Sequence, residues 1–394
     1  MSDATTPVIL AARRTPIGKF LGGFGRVPAP ELGAVAIQAA MADAGLDAGL
    51  VKEVFMGCVL QAGVGQNPAR QAALKAGIPD TVTAVTINKV CGSGLEAVMQ
   101  AARAIKAGDI EVAIAGGMEN MDLAPHFAHV RGGVKYGPAT MQDHMAHDGL
   151  TCAFENWPMG NAAEWVADEY GVTREDQDRF SAQSHQRAEA AWAAGHFANE
   201  VVTMSAEQCH ARAGVEQDEG IRAGSTAESL AKLRPAFTKT GSVTAGNASQ
   251  ISAGGAAVVV TSLAKAKELG LKPLATITDY NTVGIEPKKL FFAPALGIAA
   301  LLEKNGLTQA DIDLFEVNEA FAAQVLADIK HLGIAEDKVN VCGGGVALGH
   351  PIGASGARVL VTLLHQLTRT GGKKGVCSLC LGGGNAVSML VEMA

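Results

Sequence analysis

The chain has 394 residues, more than a single hydrophobic core usually serves, so we expect more than one domain. Apolar residues make up 48% of the chain and charged residues 18%, which excludes a disordered, collagen-like or low-complexity protein. The net charge of −7, without a basic run, argues against a nucleic-acid partner. The composition is typical of an α/β protein.

Three features of the sequence bear on where the protein is found. Residues 1–6 lack the charged and then apolar stretches of a signal peptide. No apolar run reaches the roughly 18 residues that cross a bilayer, so we expect no membrane partner. The seven scattered cysteines are an odd number, which is typical of a reducing compartment and not of a disulfide framework. These features predict a cytoplasmic protein.

Two distant parts of the chain repeat one order of elements, a helix followed by a short apolar strand. The predicted helix and strand pairs lie at residues 36–41 and 51–59, 95–107 and 112–117, 297–303 and 312–317, and 357–367 and 375–381. The last two pairs follow the first two by about 260 residues, which predicts two copies of one domain packed together. Short apolar strands alternating with helices predict parallel sheets covered on both faces.

The segment between the two copies differs from them in its sequence pattern. Residues 126–145 are polar and contain glycines without a clear period, whereas Thr173 resembles the N-cap of an amphipathic helix over residues 178–194. Such an insertion often builds a substrate site on a rigid scaffold. We therefore predict a first half at residues 1–119 and 245–270, an inserted loop domain at 120–244, and a second half at 271–394.

Cys91 lies where a predicted strand, residues 86–90, turns into a helix through Gly92 and Gly94. Glycines permit a tight turn there and leave room for a substrate. Free N–H groups at a helix N-terminus favour a thiolate, so the position favours a nucleophile. The alternative is a buried structural cysteine.

Two further residues lie at places that suit chemistry. His350 lies in a glycine-rich segment, residues 343–356, at the position that the repeat makes equivalent to the Cys91 turn. A base could therefore face the nucleophile across a pseudo-twofold axis, although loop histidines are often only solvated. Asn318 follows an apolar strand, where an amide can support an oxyanion or cap a helix.

The pair Cys377 and Cys380 invites a zinc or redox interpretation. However, the pair lies in a strand, and the sequence offers no matching second pair of ligands. We prefer Cys380 as a single functional thiol at the carboxyl end of its strand. The other tempting metal ligands are loop histidines without acidic or sulfur partners, namely His126, His129, His144 and His147. We predict no metal site.

Four ordered blocks together resemble the signature blocks of the thiolases. They are residues 88–94 (NKVCGSG), 318–321 (NEAF), 349–351 (GHP) and 380–384 (CLGGG), and the similarity extends over residues 7–394. The resemblance implies an α/β fold of two duplicated halves, with mixed sheets layered with helices in five αβαβα layers and an inserted loop domain. It also implies a homotetramer that needs no metal or prosthetic group.

The resemblance assigns a role to each residue that matches the blocks. Cys91 would become acylated, and His350 would activate it and help to stabilise the enolate of acetyl-CoA. Cys380 would remove or return the α-proton of the second acetyl group. Asn318 would complete the first oxyanion site through an ordered water. The N–H groups of Cys91 and Gly382 would form the second oxyanion site.

The resemblance also implies eight contacts with coenzyme A, with Ser249 as a hydrogen-bond partner of the pantetheine arm. From the adenine and phosphate end to the acyl end, these residues are Arg222, Ser229, Leu233, Ala245, Ala248, Ser249, Met159 and Phe321.

Two positions depart from the pattern of short-chain thiolases. Pro158 stands where many have a histidine, and Leu290-Phe291-Phe292 stands where they have a Met-Gly pair, which bears on acyl chain length. Residues 126–136 and 140–154, by contrast, resemble the tetramerisation and loop segments of acetyl-CoA acetyltransferases. The resemblance thus implies reversible condensation of two acetyl-CoA to acetoacetyl-CoA and CoA.

Three alternatives remain open: a 3-ketoacyl-CoA thiolase for longer chains, a decarboxylating ketoacyl synthase, and a non-catalytic acyl-CoA-binding protein. A synthase should have a histidine-based second site in place of Cys380. A non-catalytic relative should have lost at least one of the four residues Cys91, Asn318, His350 and Cys380, and the sequence retains all of them.

Overall fold

The computed structural model describes residues 2–394. Their strands are β1 (Pro7–Arg14), β2 (Gly18–Lys19), β3 (Glu53–Gly57), β4 (Thr83–Ile87), β5 (Val112–Asn120), β6 (His126–Phe127), β7 (Gln142–Asp143), β8 (Ser252–Ser262), β9 (Ala275–Gly284), β10 (Leu314–Val317), β11 (Lys374–Leu381) and β12 (Asn385–Met393). Their helices are α1 (Ala29–Ala44), α2 (Pro68–Lys75), α3 (Ser93–Ala107), α4 (Met159–Tyr170), α5 (Arg174–Ala193), α6 (Ala227–Leu230), α7 (Leu263–Glu268), α8 (Ala293–Lys304), α9 (Ala322–Leu332), α10 (Gly345–Leu348) and α11 (Ile352–Thr370). None of these helices is both long and apolar enough to traverse a bilayer.

Local sequence explains where the helices begin and end. Thr173 and Asp176 form a capping box at the start of α5, as the sequence predicts, so the helix begins a few residues before its amphipathic run. Helices α1 and α3 end at Gly45 and Gly108, which both adopt the left-handed conformation that glycine reaches without a steric penalty.

Ten of the strands form one mixed sheet, in the order β10-β11-β12-β9-β1-β8-β5-β3-β4, with β2 beside β8, and β6 and β7 pair in a separate two-stranded sheet. Pairing is parallel between β3 and β4, β3 and β5, and β10 and β11, and antiparallel between the other neighbours on this path. The parallel sheets expected from the pattern are therefore wrong for most strand pairs, whereas the mixed sheets implied by the resemblance are confirmed. The three-residue connection between β11 and β12 is one reason, because so short a link can only join antiparallel strands.

The duplicated order appears in the structure as α1–β3 and α3–β5 in the first half, and as α8–β10 and α11–β11 in the second. The halves join where β1 pairs with β9 through Val8 with Thr276 and Ile9 with Ala275. Helix α11 packs against β5 and β8 of the first half and against β10 and β11 of the second. Helices α3 and α11 therefore lie between the two halves of the sheet.

Alternate side chains of β8 show the layering. Val258 and Val260 pack in the core that contains α3 and α11, whereas Ala257 and Val259 pack in the core beneath α1. In the second half, Leu390 of β12 packs in a core with residues of α8. The outer helices, the two sheet halves and the central helix pair give five αβαβα layers, as expected from the resemblance.

The central helices approach one another unusually closely at their N-termini. A Cβ atom on Gly94 of α3 would lie 2.6 Å from the backbone nitrogen of Ala357 of α11, so a side chain would force the helices apart. Likewise, a Cβ on Gly57 would lie 2.6 Å from the carbonyl oxygen of Gly353. These glycines bring the turn before α3 and the turn before α11 face to face.

Candidate active site

A cavity of about 970 Å³ opens where the two turns meet the inserted segment between β5 and β8. Cys91, His350, Cys380 and Gly382 line its inner end, and most of the remaining wall is apolar. Its size suits a small-molecule ligand with an extended shape. The structure thus brings residues from both halves of the chain to one cavity.

Cys91 is presented by a tight turn. Val90 has a φ of +46°, a conformation that β-branched residues rarely adopt, and the Val90 carbonyl accepts a hydrogen bond from Ser93 Oγ at 2.6 Å. The Ser93 hydroxyl in turn accepts a bond from the Lys89 N–H at 2.8 Å. This network holds Cys91, which is partly exposed to the cavity, just before α3 begins. Backbone strain of this kind is typical of functional turns.

His350 is buried, and its ring is fixed by Ser355 Oγ, which lies 2.6 Å from Nδ1. The Ser355 hydroxyl donates to the Pro351 carbonyl at 2.9 Å, as a serine in the first turn of a helix often does. That leaves Ser355 Oγ as the acceptor, so Nδ1 carries the proton. Nε2 is then unprotonated and free to act as a base.

Asn318 lies behind His350, not on the cavity surface. Its Nδ2 is 3.4 Å from the imidazole nitrogens, and its buried Oδ1 has no hydrogen-bond partner among the described residues. The neighbouring Glu319 anchors this segment by accepting bonds from Ser184 Oγ at 2.7 Å and Asn340 Nδ2 at 2.9 Å. A water molecule or a ligand oxygen beside the ring would complete the contacts of the Asn318 amide.

Cys380 and Cys377 lie in the same strand but face different cores. Cys380 packs at the cavity end of one core, and Cys377 packs against the central helices in another. Side chains three apart in a strand point to opposite faces, so the two thiols do not form one site. The structure therefore gives no support to a zinc or redox pair and agrees with a single functional thiol.

Burial keeps the reacting groups neutral. It raises the pKa of Cys91 to about 12, although backbone N–H groups of Cys91 and Gly382 oppose the rise by hydrogen bonding to the sulfur. Burial also raises the pKa of Cys380 well above that of an ordinary thiol, and the nearby Cys91 adds to the rise. Burial lowers the pKa of His350 to about 3, with a smaller effect from Arg358. The resting site therefore holds two thiols and a neutral imidazole.

The low pKa of His350 makes folding stability depend on pH. Between its ordinary value of 6.5 and about 3, the unfolded chain binds a proton that the folded chain does not, so stability falls as the pH drops through that window. The expected loss is about 1.4 kcal/mol per pH unit. In His350→Gln, urea unfolding at several pH values should show a dependence shallower by that amount. If the free energy of unfolding depended equally on pH in the variant and the wild type, the lowered pKa of His350 would be refuted.

The cavity wall includes most of the residues expected to contact coenzyme A. They are Arg222, Ala245, Ala248, Ser249, Met159 and Phe321. Arg222 donates from Nη1 to the Ala245 carbonyl at 3.3 Å, and its backbone N–H donates to buried His185 Nδ1 at 3.2 Å. Ser229 and Leu233 do not line the cavity. The Ser229 hydroxyl helps to cap α6, and Leu233 packs against Gly246 on the outside of this wall.

The residues that depart from the short-chain pattern divide between two environments. Pro158, Leu290 and Phe291 line the cavity, and the Phe291 ring contacts Phe321 edge to face at a centroid distance of 5.1 Å. Phe292 instead stacks on Tyr170 at 4.1 Å, outside the cavity. Phe291 and Phe321 thus form an aromatic part of the cavity wall.

Sequence reasoning missed several residues of the site. Phe237 lines the cavity, and its ring lies 6.3 Å from that of Phe321 between centroids. Lys19, the last residue of β2, and Phe20, which follows it, also line the cavity. No motif marks these positions, because the chain folds them into place from distant segments. Buried Glu119 contacts the loops that carry the site. It is followed by Asn120 at the end of a strand, and no motif there marks Glu119 as a residue of the site.

Three of the four loop histidines lie around one aromatic ring. The Phe127 ring lies 5.4 Å from that of His129 and 5.7 Å from that of His147. His144 and His147 share the carboxylate of Asp148. Across residues 2–394, His, Cys, Asp and Glu side chains do not come together in groups of three or more that could hold a metal ion.

Comparison with known families agrees with this geometry. A family model described as "Thiolase, N-terminal domain" matches residues 7–264, and one described as "Thiolase, C-terminal domain" matches residues 271–393. The chain belongs to the thiolase family. The thiolase models meet between β8 and β9, the strands that flank the junction of the two halves.

Similar proteins cover the full length of the chain. A Cupriavidus necator protein named acetyl-CoA acetyltransferase is 53% identical over 98% of this chain and 99% of its own length. A Staphylococcus aureus protein named probable acetyl-CoA acyltransferase is 48% identical over 98% and 99%. The crystal structure of the Bacillus anthracis acetyl-CoA acetyltransferase superposes with a TM-score of 0.96, at 43% identity and complete coverage of both chains.

Proposed function

We propose that the chain is an acetyl-CoA C-acetyltransferase, which condenses two acetyl-CoA to acetoacetyl-CoA and CoA and also runs the reverse cleavage. The observation that carries the proposal is the meeting of Cys91, His350 and Cys380 at the inner end of one cavity. The full-length relatives named acetyl-CoA acetyltransferase support it. Acetyl-CoA, acetoacetyl-CoA and CoA are its small-molecule partners.

The first half-reaction forms an acyl-cysteine. His350 Nε2 takes the proton of Cys91, and the sulfur attacks the thioester carbonyl of acetyl-CoA. The N–H groups of Cys91 and Gly382 stabilise the tetrahedral oxyanion, since both reach the sulfur of Cys91 in the resting site. Cys380 gives its proton to the departing CoA thiolate. The site then holds an acetyl group on Cys91, an imidazolium and a Cys380 thiolate.

The second half-reaction forms the carbon–carbon bond. The Cys380 thiolate removes an α-proton from the second acetyl-CoA, and the enolate oxygen lies against His350, with Asn318 in support through a water. The carbanion attacks the acetyl group on Cys91. The expelled Cys91 thiolate recovers its proton from His350, while Cys380 keeps the α-proton. Each group thus returns to its starting protonation state.

The acyl end of the cavity favours short chains. Phe291 and Phe321 line the cavity and pack in one core cluster with Cys380, so they take up space into which a longer acyl chain would extend. A few methylene groups in a filled apolar pocket change kcat/KM by about tenfold or more. We expect kcat/KM for cleavage of acetoacetyl-CoA to exceed that for the C8–C16 3-ketoacyl-CoA thioesters by at least that factor.

A matched pair of variants tests whether the Phe291 ring causes the preference for short acyl chains. Phe291→Ala should raise kcat/KM for the C8 substrate several-fold, because it opens the pocket, whereas Phe292→Ala should not, because that ring lies outside it. A wild-type preference for the long substrates would instead favour the alternative, a 3-ketoacyl-CoA thiolase.

We propose further that the protein is a cytoplasmic homotetramer. Large apolar side chains are exposed on the segment between β5 and α4, where the resemblance implies contacts between subunits. They are Leu123, Val130, Val134, Tyr136, Met141 and Phe154. Exposed apolar groups concentrated in one segment are typical of an interface.

A further inference from the structure

Glu119, near the end of β5, is buried without solvent contact and has no cationic partner among the described residues. Its Oε2 accepts hydrogen bonds from the N–H groups of Val59 and Gly353, both at 3.0 Å. Its Oε1 accepts one from the Leu60 N–H at 3.3 Å and faces the Cys58 thiol at 3.8 Å. One carboxylate therefore satisfies donors from two segments of the chain that are distant in sequence.

These donors belong to the two halves that meet at the reacting groups. Val59 and Leu60 follow β3 of the first half, and they pack in one cluster with Ile352 and with Cys91. Gly353 lies in the first turn of α11 in the second half, three residues after His350. A Cβ at Gly353 would lie 2.7 Å from Glu119 Oε2, so glycine is what lets the carboxylate reach this N–H. Glu119 thus bridges the halves directly behind the nucleophile and the base.

We propose that Glu119 is a positioning residue, which fixes Cys91 relative to His350 by binding both halves. The proposal rests on the proposed role of Cys91 as the acylated nucleophile. Glu119 itself touches neither substrate nor reacting atoms.

Charge makes this role more than structural. Burial raises the pKa of Glu119 to about 7, opposed by the N–H groups that bind the ionised form. The titratable groups that feel the Glu119 charge are Cys58 from the loop after β3 and Cys91 from the turn before α3, and in both it raises the thiol pKa. Burial is the main cause of the raised Cys91 pKa, and an ionised Glu119 adds a smaller rise.

Two substitutions separate position from charge. Glu119→Gln removes the charge and leaves one acceptor oxygen, so its amide group must face an N–H donor. Glu119→Asp keeps the charge but is one methylene shorter, so it cannot reach all the donors. Both variants should lower kcat by at least about tenfold with little change in KM, because the hydrogen bonds that they remove orient the reacting groups and not the binding wall.

The decisive readout is alkylation of Cys91 by iodoacetamide at pH about 8, followed by peptide mapping. Glu119→Gln should alkylate roughly three- to tenfold faster than wild type, because a lower thiol pKa gives more thiolate. Glu119→Asp should alkylate at close to the wild-type rate. A wild-type kcat in Glu119→Asp would overturn the proposal, and so would a rise in KM as large as the fall in kcat. An unchanged alkylation rate in Glu119→Gln would contradict the charge effect.

Glu164→Gln is the matched control. Glu164 is also buried and accepts backbone bonds, from Ser242 at 2.8 Å and Val243 at 3.1 Å, but it lies in α4. Its substitution should leave the Cys91 alkylation rate unchanged, and a rate increase equal to that of Glu119→Gln would overturn the charge argument. Alkylation needs no acyl substrate. The effect of Glu119 on Cys91 can therefore be measured even if the protein does not transfer acetyl groups.

Discussion

Cys91→Ser is expected to lower kcat for acetoacetyl-CoA cleavage by at least about 10⁴-fold, because a hydroxyl beside a neutral imidazole is a far weaker nucleophile than the thiol. The cavity keeps its shape, since serine is smaller than cysteine and Cys91 lies at the cavity surface. Binding of CoA, measured by calorimetry, should therefore be close to that of the wild type.

Cys209→Ser provides the control for loss of a thiol. Cys209 is buried in a separate core beside Phe24 and Val27, away from the cavity, so its substitution should leave kcat within a few-fold of wild type. If Cys91→Ser retained a comparable rate, Cys91 could not be the nucleophile.

Cys380→Ser is expected to separate the two half-reactions. Cys91 and His350 remain, and the His350 imidazolium can protonate the departing CoA thiolate in place of Cys380. The enzyme should therefore still form the acyl-cysteine from acetyl-CoA, although more slowly. The α-proton of a thioester is a weak acid, and a serine hydroxyl cannot remove it, so condensation should fall by roughly 10²–10⁴-fold. Exchange of the acetyl protons of acetyl-CoA with deuterated water, followed by NMR, measures this step alone.

Cys377→Ser is the matched control in the same strand. Its side chain faces the central helices, so proton exchange should continue even if the substitution lowers thermal stability. Normal exchange in Cys380→Ser, or abolished exchange in a folded Cys377→Ser, would show that Cys380 is not the base.

Periodicity and repetition predicted much of the fold. The order of a helix followed by a strand occurs twice in each half, and this repetition identified both halves in the sequence. The order recurs because each half must bury its strands beneath its own helices. The pattern could not reveal that β8 and β12 run antiparallel to their neighbours, since a strand buried on both faces reads alike in either direction. The mixed sheet therefore followed from the resemblance and not from periodicity.

The inner site was predictable for a related reason. Cys91 and His350 lie at repeat-equivalent turns, so packing the copies together brings them to one place, where Cys380 joins them. Glu119 and Phe237 carry no such signal, because their roles arise from contacts between segments far apart in sequence. Sequence patterns report local structure, whereas these contacts depend on the assembled fold.

The domain boundaries and all eight coenzyme A contacts stay predictions, and two of the contacts need a further explanation. The boundaries lie within continuous chain, so limited proteolysis or separate expression of the segments is needed to test them. Ser229 and Leu233 are assigned to coenzyme A, although both lie outside the cavity wall. A contact with the adenine end of the ligand beyond the cavity mouth would reconcile their positions with the resemblance.

The covalent intermediate can be located by mapping the acetylated peptide after incubation with acetyl-CoA and acid quenching. We predict one acetyl group, attached to Cys91, in wild type and in Cys380→Ser, and none in Cys91→Ser. An acetyl group on Cys380 or on any of the other cysteines, or retained labelling of Cys91→Ser, would contradict the role of Cys91 as the nucleophile.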